Sequence, residues 1–271
     1  MLSIYCETDN VSLTIYRIIS QVKQTAPSNI QFVKAIEDAD YAILTAIGID
    51  GVKEFIDRLP CILLQLCHKT AGPQEFWDYA WSKAKLVGSY YDLKPPCPYV
   101  RFPVGFDEKV FYNNFNGAWK ERPYPCAVTG RVDGPEEIRS VYDGFGVVVH
   151  LGRDFRYGPG YIHFNTLTDD EMRGVYSRSQ YVAGLRHIEG FELPIIEGAA
   201  CGCQPIAFDM PCYRYWFDDF ATFIQPNLPV TAQLERISRE KPYREIKPEH
   251  LERFKLHNAW APFWDAFLEV V

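Results

Sequence analysis

Residues 186–211 read RHIEGFELPIIEGAACGCQPIAFDMP, and they contain the clearest secondary-structure pattern of the chain. An apolar strand ends just before it, and a polar loop that contains a glycine follows. The apolar run from Leu193 predicts a helix, with Pro194 in the first turn, where a missing N–H costs nothing. Gly202 is the residue expected to end that helix in a left-handed conformation, and Gln204–Phe208 predicts the next strand. A strand–loop–helix–strand unit of this kind is typical of a parallel α/β sheet.

The same alternation of short apolar strands and amphipathic helices extends along the chain, and one helix, over residues 168–178, is predicted to open with a capping box of Thr168 and Glu171. The alternation is found on both sides of a proline-rich segment. That segment, residues 94–103, reads KPPCPYVRFP, which the interior of a helix or sheet would not tolerate. The chain has 271 residues, which suits two domains of ordinary size. We therefore predict an α/β protein with two Rossmann-like domains, the first over residues 1–103 and the second over residues 104–271.

Composition excludes several classes of protein. The formal net charge is −7, and no segment carries a dense run of Lys and Arg, so the footprint of a nucleic-acid-binding protein is missing. Eight cysteines lack the spacing of zinc knuckles, which favours free thiols in a reducing compartment. The first residues, MLSIYCETDN, lack the basic region of a signal peptide, and no apolar stretch approaches the ~20 residues that span a bilayer. These features predict a cytoplasmic protein without stable membrane insertion; its oligomeric state leaves no trace in the sequence.

The loop before the predicted helix is where we expect chemistry. Free backbone N–H groups and the positive end of a helix dipole point at one spot there, which suits a phosphate or diphosphate. Glu197 lies one turn into the helix, where a carboxylate can accept hydrogen bonds from both hydroxyls of a ribose. Glu189, in the loop, is placed to reach a sugar beyond the phosphates. The alternative is that both are acids that the helix dipole alone favours near a helix start.

The stretch from Glu189 to Glu197 resembles the E-x7-E signature of retaining GT-B glycosyltransferases, in particular the large family 4 (group 1) class. The family pattern is E-G-F-G-L-P-x-x-E-A-x-A-x-G-x-P-V-I-A. This sequence has E-G-F-E-L-P-I-I-E-G-A-A-C-G-C-Q-P-I-A, with one extra residue before Pro205. The similarity includes the strand that follows the helix, and the surrounding Gly, Phe and Pro residues make it specific.

Three other segments are similar to the same family. Residues 103–111, PVGFDEKVF, resemble its hinge pattern N-G-V-D-x-x-x-F at the start of the donor domain. Residues 129–131, TGR, resemble the strand end whose arginine binds the donor diphosphate. The tail with Trp260 and Trp264 is similar to the final helices that pack back across the two domains. The resemblance thus implies the GT-B fold, in which two Rossmann-like domains face each other across a cleft.

By resemblance, the protein is a metal-independent hexosyltransferase-like enzyme that moves a sugar, with retention of configuration, from a nucleoside-diphosphate sugar to an acceptor hydroxyl. The nucleotide sugar, with a UDP- or GDP-sugar favoured, is a co-substrate, and no other cofactor is implied. The acceptor is a saccharide or another hydroxyl compound, and the acidic balance disfavours DNA. The implied catalytic residues are Glu189, His68 and Arg131. The implied donor-binding residues are Glu197, Gly190, Phe191, Glu192, Leu193, Arg186 and Pro194.

The sequence also departs from the family pattern. Glu136 stands where the family has a second diphosphate-binding cation, a lysine five residues after the arginine, and Arg139, Arg153 or Arg186 is available to replace it. Glu192 replaces a glycine of the loop, and residues 7–12, ETDNVS, replace a Gly-rich loop. These departures favour an alternative, a catalytically silent glycosyltransferase-like binding subunit. A dinucleotide oxidoreductase is set aside because residues 7–12 contain no glycine.

Overall fold

The computed structural model describes residues 1–6, 13–46, 52, 55–66, 72–129, 135–152, 154–187 and 190–271. The chain forms two compact units. The first combines Met1–Gly105 with Leu256–Val271, and the second is Phe106–Lys255. Each unit contains a six-stranded sheet whose strand pairs are all parallel. The predicted α/β fold with two Rossmann-like domains is therefore confirmed.

The first unit is built around a sheet with the strand order β2-β1-β3-β4-β5-β6. Its core strand β4 is buried at every position, as expected of a parallel strand covered on both faces. With elements numbered in chain order, the unit comprises β1 (Leu2–Cys6), α1 (Leu13–Thr25), β2 (Ile30–Val33), β3 (Tyr41–Ala46), β4 (Cys61–Gln65), α2 (Gln74–Lys83), β5 (Ala84–Ser89), β6 (Tyr99–Arg101) and α9 (Leu256–Val270).

The second unit has the strand order β12-β11-β10-β7-β8-β9. Its strands β10 and β11 are also buried at every position, so they form the centre of its core. Its elements are β7 (Tyr124–Thr129), α3 (Pro135–Phe145), β8 (Val148–Leu151), β9 (Tyr161–Phe164), α4 (Asp169–Ser177), β10 (Ser179–Gly184), α5 (Leu193–Ala200), β11 (Gln204–Phe208), α6 (Pro211–Phe217), β12 (Thr222–Ile224), α7 (Val230–Glu240) and α8 (Pro248–Glu252).

The end of the chain corrects the predicted domain bounds. The sequence placed residues 104–271 together, whereas the structure has the first unit run to Gly105 and returns the last helix, α9, to it. The reason is packing of aromatic side chains. The indole N–H of Trp260 donates to Gln21 Oε1 at 2.9 Å, and that of Trp264 donates to Thr25 Oγ1 at 3.0 Å. Aromatic residues on α9 therefore complete the core of the first unit.

The proline-rich segment contains a strand that the sequence did not predict. Strand β6 lies between Pro98 and Pro103 and pairs with β5 at the edge of the first sheet. An edge strand needs backbone donors on one side only, so flanking prolines are tolerated. In contrast, the predicted capping box at the start of α4 is present: the Glu171 N–H donates to Thr168 Oγ1, and the Thr168 N–H donates to the Glu171 carboxylate.

The cysteines that the structure describes are all free thiols, and most are buried. Burial raises the pKa of Cys6 to about 12 and that of Cys61 to about 11, so both are protonated at neutral pH. Cys67 lies outside the described residues. In the part of the chain that the structure describes, no helix combines the length and apolar character needed to cross a membrane.

Candidate functional site

The topology of the second sheet marks one place for a ligand. Counted from β7, its strand order is 3-2-1-4-5-6, and the order reverses between β7 and β10. Ligands of such sheets bind beyond the carboxyl ends of the strands at this reversal. The two strands pair in parallel with Ala183 beside Val128, so they end side by side. The segments that follow them in the chain, residues 130–134 and 185–192, include the predicted Arg131 and Glu189, which lie outside the described residues.

Helix α5 begins directly at this edge of the sheet. It starts at Leu193, after Glu192 in extended conformation, and has Pro194 in its first turn, as predicted. The helix approaches β10 closely, because a Cβ on Gly184 would lie 2.8 Å from Ile195 Cγ1. A residue with a side chain at 184 would push the helix start away from the strand end, so the glycine allows α5 to pack closely against β10.

The end of α5 is fixed by the predicted glycine. Gly202 has φ +83°, and its N–H donates to the carbonyl of Ala199 at 2.9 Å. The N–H of Cys203 donates to the carbonyl of Gly198 at 2.8 Å. Together these bonds form a Schellman motif, which satisfies carbonyls that the helix end would otherwise leave open.

Glu197 is a buried carboxylate on this helix. It is the fifth residue of α5 and only 1% exposed. Burying a carboxylate has a free-energy cost unless polar groups compensate it, and apolar side chains would fill such a position at lower cost. The predicted ribose-binding residue therefore lies on the helix that starts at the reversal of strand order, held within the protein rather than on its surface.

Glu192 and Arg186 form an ion pair in the loop ahead of the helix. Arg186 Nε lies 3.5 Å from Glu192 Oε1, and their side chains are 17% and 2% exposed. The hydroxyl of Tyr213, on α6, lies 3.3 Å from Glu192 Oε1 and donates to the carbonyl of Arg186 at 3.1 Å. Tyr213 was not predicted from the sequence. The pair joins the end of β10 to the start of α5, so two predicted donor-binding residues hold each other.

The other predicted donor-binding residues of the loop differ in their surroundings. Phe191 packs against Trp216, Phe217 and Phe254, with ring centroids 5.4–5.9 Å apart. A donor contact by Phe191 stays a prediction, and it concerns the backbone because the ring is buried in the core. Gly190 is buried as well, whereas the first two residues of α5, Leu193 and Pro194, are half-buried.

The three predicted catalytic residues, Glu189, His68 and Arg131, lie outside the described residues, as does Arg153. Among the replacements considered for the missing lysine, Arg139 binds Asp143 through Nε at 2.8 Å on an exposed face of α3. Glu136, at the lysine position, is exposed.

The end of β4, which precedes His68, is held by hydroxyl groups. The hydroxyl of Ser89 donates to the carbonyl of Gln65 at 2.6 Å. The hydroxyl of Tyr90 donates to the carbonyl of Leu66, also at 2.6 Å. The side chain of Gln65 accepts a hydrogen bond from the indole N–H of Trp81 at 2.9 Å. Gln65 and Leu66, the last described residues before His68 in the chain, are therefore fixed by hydrogen bonds to residues 81, 89 and 90.

Arg122 is a residue near the site helix that sequence reasoning missed. It is 4% exposed and donates to the carbonyls of Cys201 at 3.1 Å and Ser179 at 3.0 Å, and to Asn113 Oδ1 at 3.0 Å. Cys201 is the cap residue at the end of α5, so a buried cation faces the negative end of that helix. Burial lowers the pKa of the guanidinium. A single arginine before a strand carries no pattern that would have identified it.

Comparisons with known proteins establish the fold. No protein-family model matches the sequence, and no curated protein matches it significantly. Solved structures match along nearly the whole chain, and they are glycosyltransferases of the GT-B fold. Sucrose-phosphate synthase from Thermosynechococcus elongatus has 11% identity and a TM-score of 0.64, with 99% of this chain and 97% of that chain covered.

Two further structures were solved with bound ligands. Anabaena HepE in complex with UDP and glucose has 10% identity and a TM-score of 0.65, covering 100% of this chain and 96% of that chain. An alpha-glucosyltransferase in complex with UDP and a 13-mer DNA containing an HMU base has 13% identity and a TM-score of 0.64, covering 99% and 98%. At these identities the likeness establishes the GT-B fold of the chain and no more.

Proposed function

We propose that this protein is a glycosyltransferase that moves a sugar from a nucleoside-diphosphate sugar to an acceptor hydroxyl, with retention of configuration, as in family 4. One observation carries the proposal. The described part of the E-x7-E segment, residues 190–197, leads into and begins helix α5 at the reversal of strand order in the second sheet, and Glu197 is buried on that helix. Sheets of this order bind ligands at such a reversal, and a carboxylate there can accept hydrogen bonds from ribose or sugar hydroxyls.

The proposed catalysis is electrostatic. A departing nucleoside diphosphate gains negative charge, and preorganised donors at that position lower the barrier. The N-terminus of α5, the loop N–H groups and Arg131 would stabilise the diphosphate. Glu197 would bind the ribose, Glu189 the sugar, and His68 would position the transferred sugar. The acceptor hydroxyl would attack the face that the leaving group vacates, and the phosphate would take the proton.

We propose UDP- or GDP-sugars as donors and a saccharide or another hydroxyl compound as acceptor. Support for UDP comes from the two similar structures that contain it. One of those proteins was solved with DNA. The net charge of −7 makes DNA the less favoured acceptor for this chain. Support for a reducing, cytoplasmic location comes from the described cysteines, which are free thiols.

The experiment that tests the function is a thermal-shift panel of UDP-, GDP- and ADP-sugars on the wild type and on Glu197→Gln. A donor at 100 times its Kd should stabilise the wild type by about 2.7 kcal/mol. We expect one nucleotide class to raise the Tm of the wild type and not that of the variant. Glutamine keeps the volume of the side chain, so a lost response reports the carboxylate rather than a cavity. If no nucleotide sugar raises the wild-type Tm, the proposal fails.

Turnover and mechanism are tested with the donor so identified. Release of nucleoside diphosphate should be equal with excess EDTA and with Mg²⁺, because we propose metal-independent transfer. The anomeric configuration of the product, read by NMR, tests retention.

Glu189→Gln should abolish transfer. Donor binding without any turnover on a broad panel of acceptors would instead support the silent binding subunit, which Glu136 and Glu192 favour as the alternative.

A further inference from the structure

By resemblance to family 4, the proposed donor site would hold the diphosphate with two cations, and the lysine position of the family does not supply the second one here. Residue 136 is an exposed glutamate in the first turn of α3. A fixed positive charge beside the departing diphosphate is worth most where water is excluded. A cation from another part of the site would meet this need.

The structure describes two of the three arginines that could replace the lysine, Arg139 and Arg186, and their surroundings differ. Arg139 uses its Nε hydrogen for both carboxylate oxygens of Asp143, at 2.9 and 2.8 Å, on an exposed helix face. Arg186 instead follows the carboxyl end of β10, the strand at the reversal of order. Of these two arginines, Arg186 is therefore the one that lies at the place where sheets of this order bind ligands.

Glu192 holds the guanidinium of Arg186. The glutamate occupies the N-cap position of α5 but makes no capping hydrogen bond to the helix. Its carboxylate, which is 2% exposed, faces Arg186 Nε instead. The hydroxyl of Tyr213 donates to the Arg186 carbonyl, so both the backbone and the side chain of this arginine are fixed. The arginine, at 17% exposure, is the member of the pair that reaches solvent.

We propose that Arg186 is the second cation for the donor diphosphate and that Glu192 is a positioning residue that orients its guanidinium. The inference rests on the proposed function. It also explains why a glutamate stands where the family pattern has glycine: a planar guanidinium binds phosphate through a defined edge, and a carboxylate at Nε sets which edge is presented.

The test is calorimetric titration with UDP, GDP and ADP, each compared with its nucleoside. For the nucleotide that binds, Arg186→Gln should weaken diphosphate affinity by about 10- to 100-fold and leave nucleoside affinity unchanged, since a charge-assisted hydrogen bond is lost. Arg139→Gln is the matched control: it removes the same charge from the same unit and should change neither affinity. An equal loss for diphosphate and nucleoside, or no loss, would overturn the assignment of Arg186.

Glu192 is tested by a double-mutant cycle. Glu192→Gln should weaken diphosphate affinity by about 3- to 10-fold, and it should have no further effect when Arg186→Gln is already present. An independent effect in that background would mean that Glu192 does not act through Arg186. If Arg186→Gln fails to fold, Arg186→Lys, which keeps the charge and loses the planar fork, should still show the selective loss. A wild type that binds none of UDP, GDP or ADP would instead refute the proposed function itself.

Discussion

The two units share an architecture but differ in what they bury. Both are parallel six-stranded sheets with helices. Within the described residues, the buried polar side chains of the first unit are all neutral, and they are Gln21, Thr45, Gln65 and Ser89. The second unit also buries charged groups, namely a guanidinium and two carboxylates, Arg122, Glu192 and Glu197.

This difference is consistent with a donor site in the second unit, as we propose. A buried charge is weak evidence for stability, because apolar side chains of similar volume often do as well or better. Its presence therefore needs another cause. In the second unit, two of the buried charges lie in the loop and helix at the reversal of strand order. In the first unit, neutral hydrogen bonds such as that of Ser89 with Gln65 suffice to hold a strand end.

The largest expected effect is that of Glu197→Gln on transfer. If the carboxylate accepts two ribose hydroxyls, its loss should lower kcat/KM on the order of 1000-fold, since hydrogen bonds to a charged group are worth about 1.5–3 kcal/mol each. If, as we propose, the charge serves the ligand rather than the fold, the Tm of the free protein should stay close to wild type or rise. Initial rates with the identified donor, together with calorimetric melting, measure both quantities.

The matched control for Glu197→Gln is a substitution of a buried polar residue in the first unit, Gln21→Leu. Gln21 donates to the carbonyl of Gly105 at 2.7 Å and accepts from the indole of Trp260. Gln21→Leu should lower stability and leave the donor-induced rise in Tm unchanged. The comparison between the units would collapse if Glu197→Gln lost stability with normal turnover, or if Gln21→Leu abolished the donor response.

Local signals in the sequence predicted the helix that starts at the reversal of strand order. Pro194 and Gly202 mark the start and end of α5, and the structure has the proline in the first turn and the glycine at positive φ, as expected. Thr168 and Glu171 likewise predicted the start of α4. Each of these features is set by residues within one or two turns, so a single stretch of sequence contains the information.

Features that depend on distant partners were not predicted. Tyr213 binds the carbonyl of Arg186 across 27 positions of sequence, and Arg122 meets Cys201 across 79. The docking of α9 on the first unit depends on Gln21, 239 positions before Trp260. Such long-range contacts depend on the whole fold, so no local sequence pattern predicts which residues form them. The roles of His68, Arg131 and Glu189 stay predictions from resemblance.

Substitution of Arg122 tests whether its buried guanidinium has a structural role only. Arg122→Met should lower the free energy of unfolding by about 3 kcal/mol, because buried carbonyls lose their hydrogen-bond donor. Urea denaturation measures the loss, with the exposed Arg139→Met as the control, expected to change stability by less than about 0.5 kcal/mol. Donor affinity at a temperature where the variant is folded should equal that of the wild type. A specific loss of donor binding would place Arg122 with the functional charges.

Two glycines allow the cost of a left-handed backbone to be separated from the cost of steric crowding against Arg122. Gly202 and Gly146 both have positive φ, +83° and +74°. A Cβ on Gly202 would lie 2.5 Å from Arg122 Nη2, whereas one on Gly146 would meet nothing within 4 Å. Gly146→Ala should therefore cost about 1 kcal/mol for the left-handed backbone alone, and Gly202→Ala about 2 kcal/mol because the arginine must also shift. If urea denaturation gave equal losses in the free energy of unfolding for the two variants, the guanidinium of Arg122 would be able to shift without cost.

The smallest effect concerns a charge of the second unit that is exposed and serves the fold alone. Hydrogen bonds from the backbone and hydroxyl of Thr168 lower the pKa of Glu171. A lowered pKa stabilises the protein above the usual glutamate pKa, and that contribution is lost as pH falls through the folded-state pKa. Thr168→Ala should cost about 1 kcal/mol at neutral pH, with no change in donor affinity. Urea denaturation at several pH values should show the difference from wild type shrinking once Glu171 is protonated; a difference that is constant with pH would mean that the hydroxyl caps the helix without help from the carboxylate.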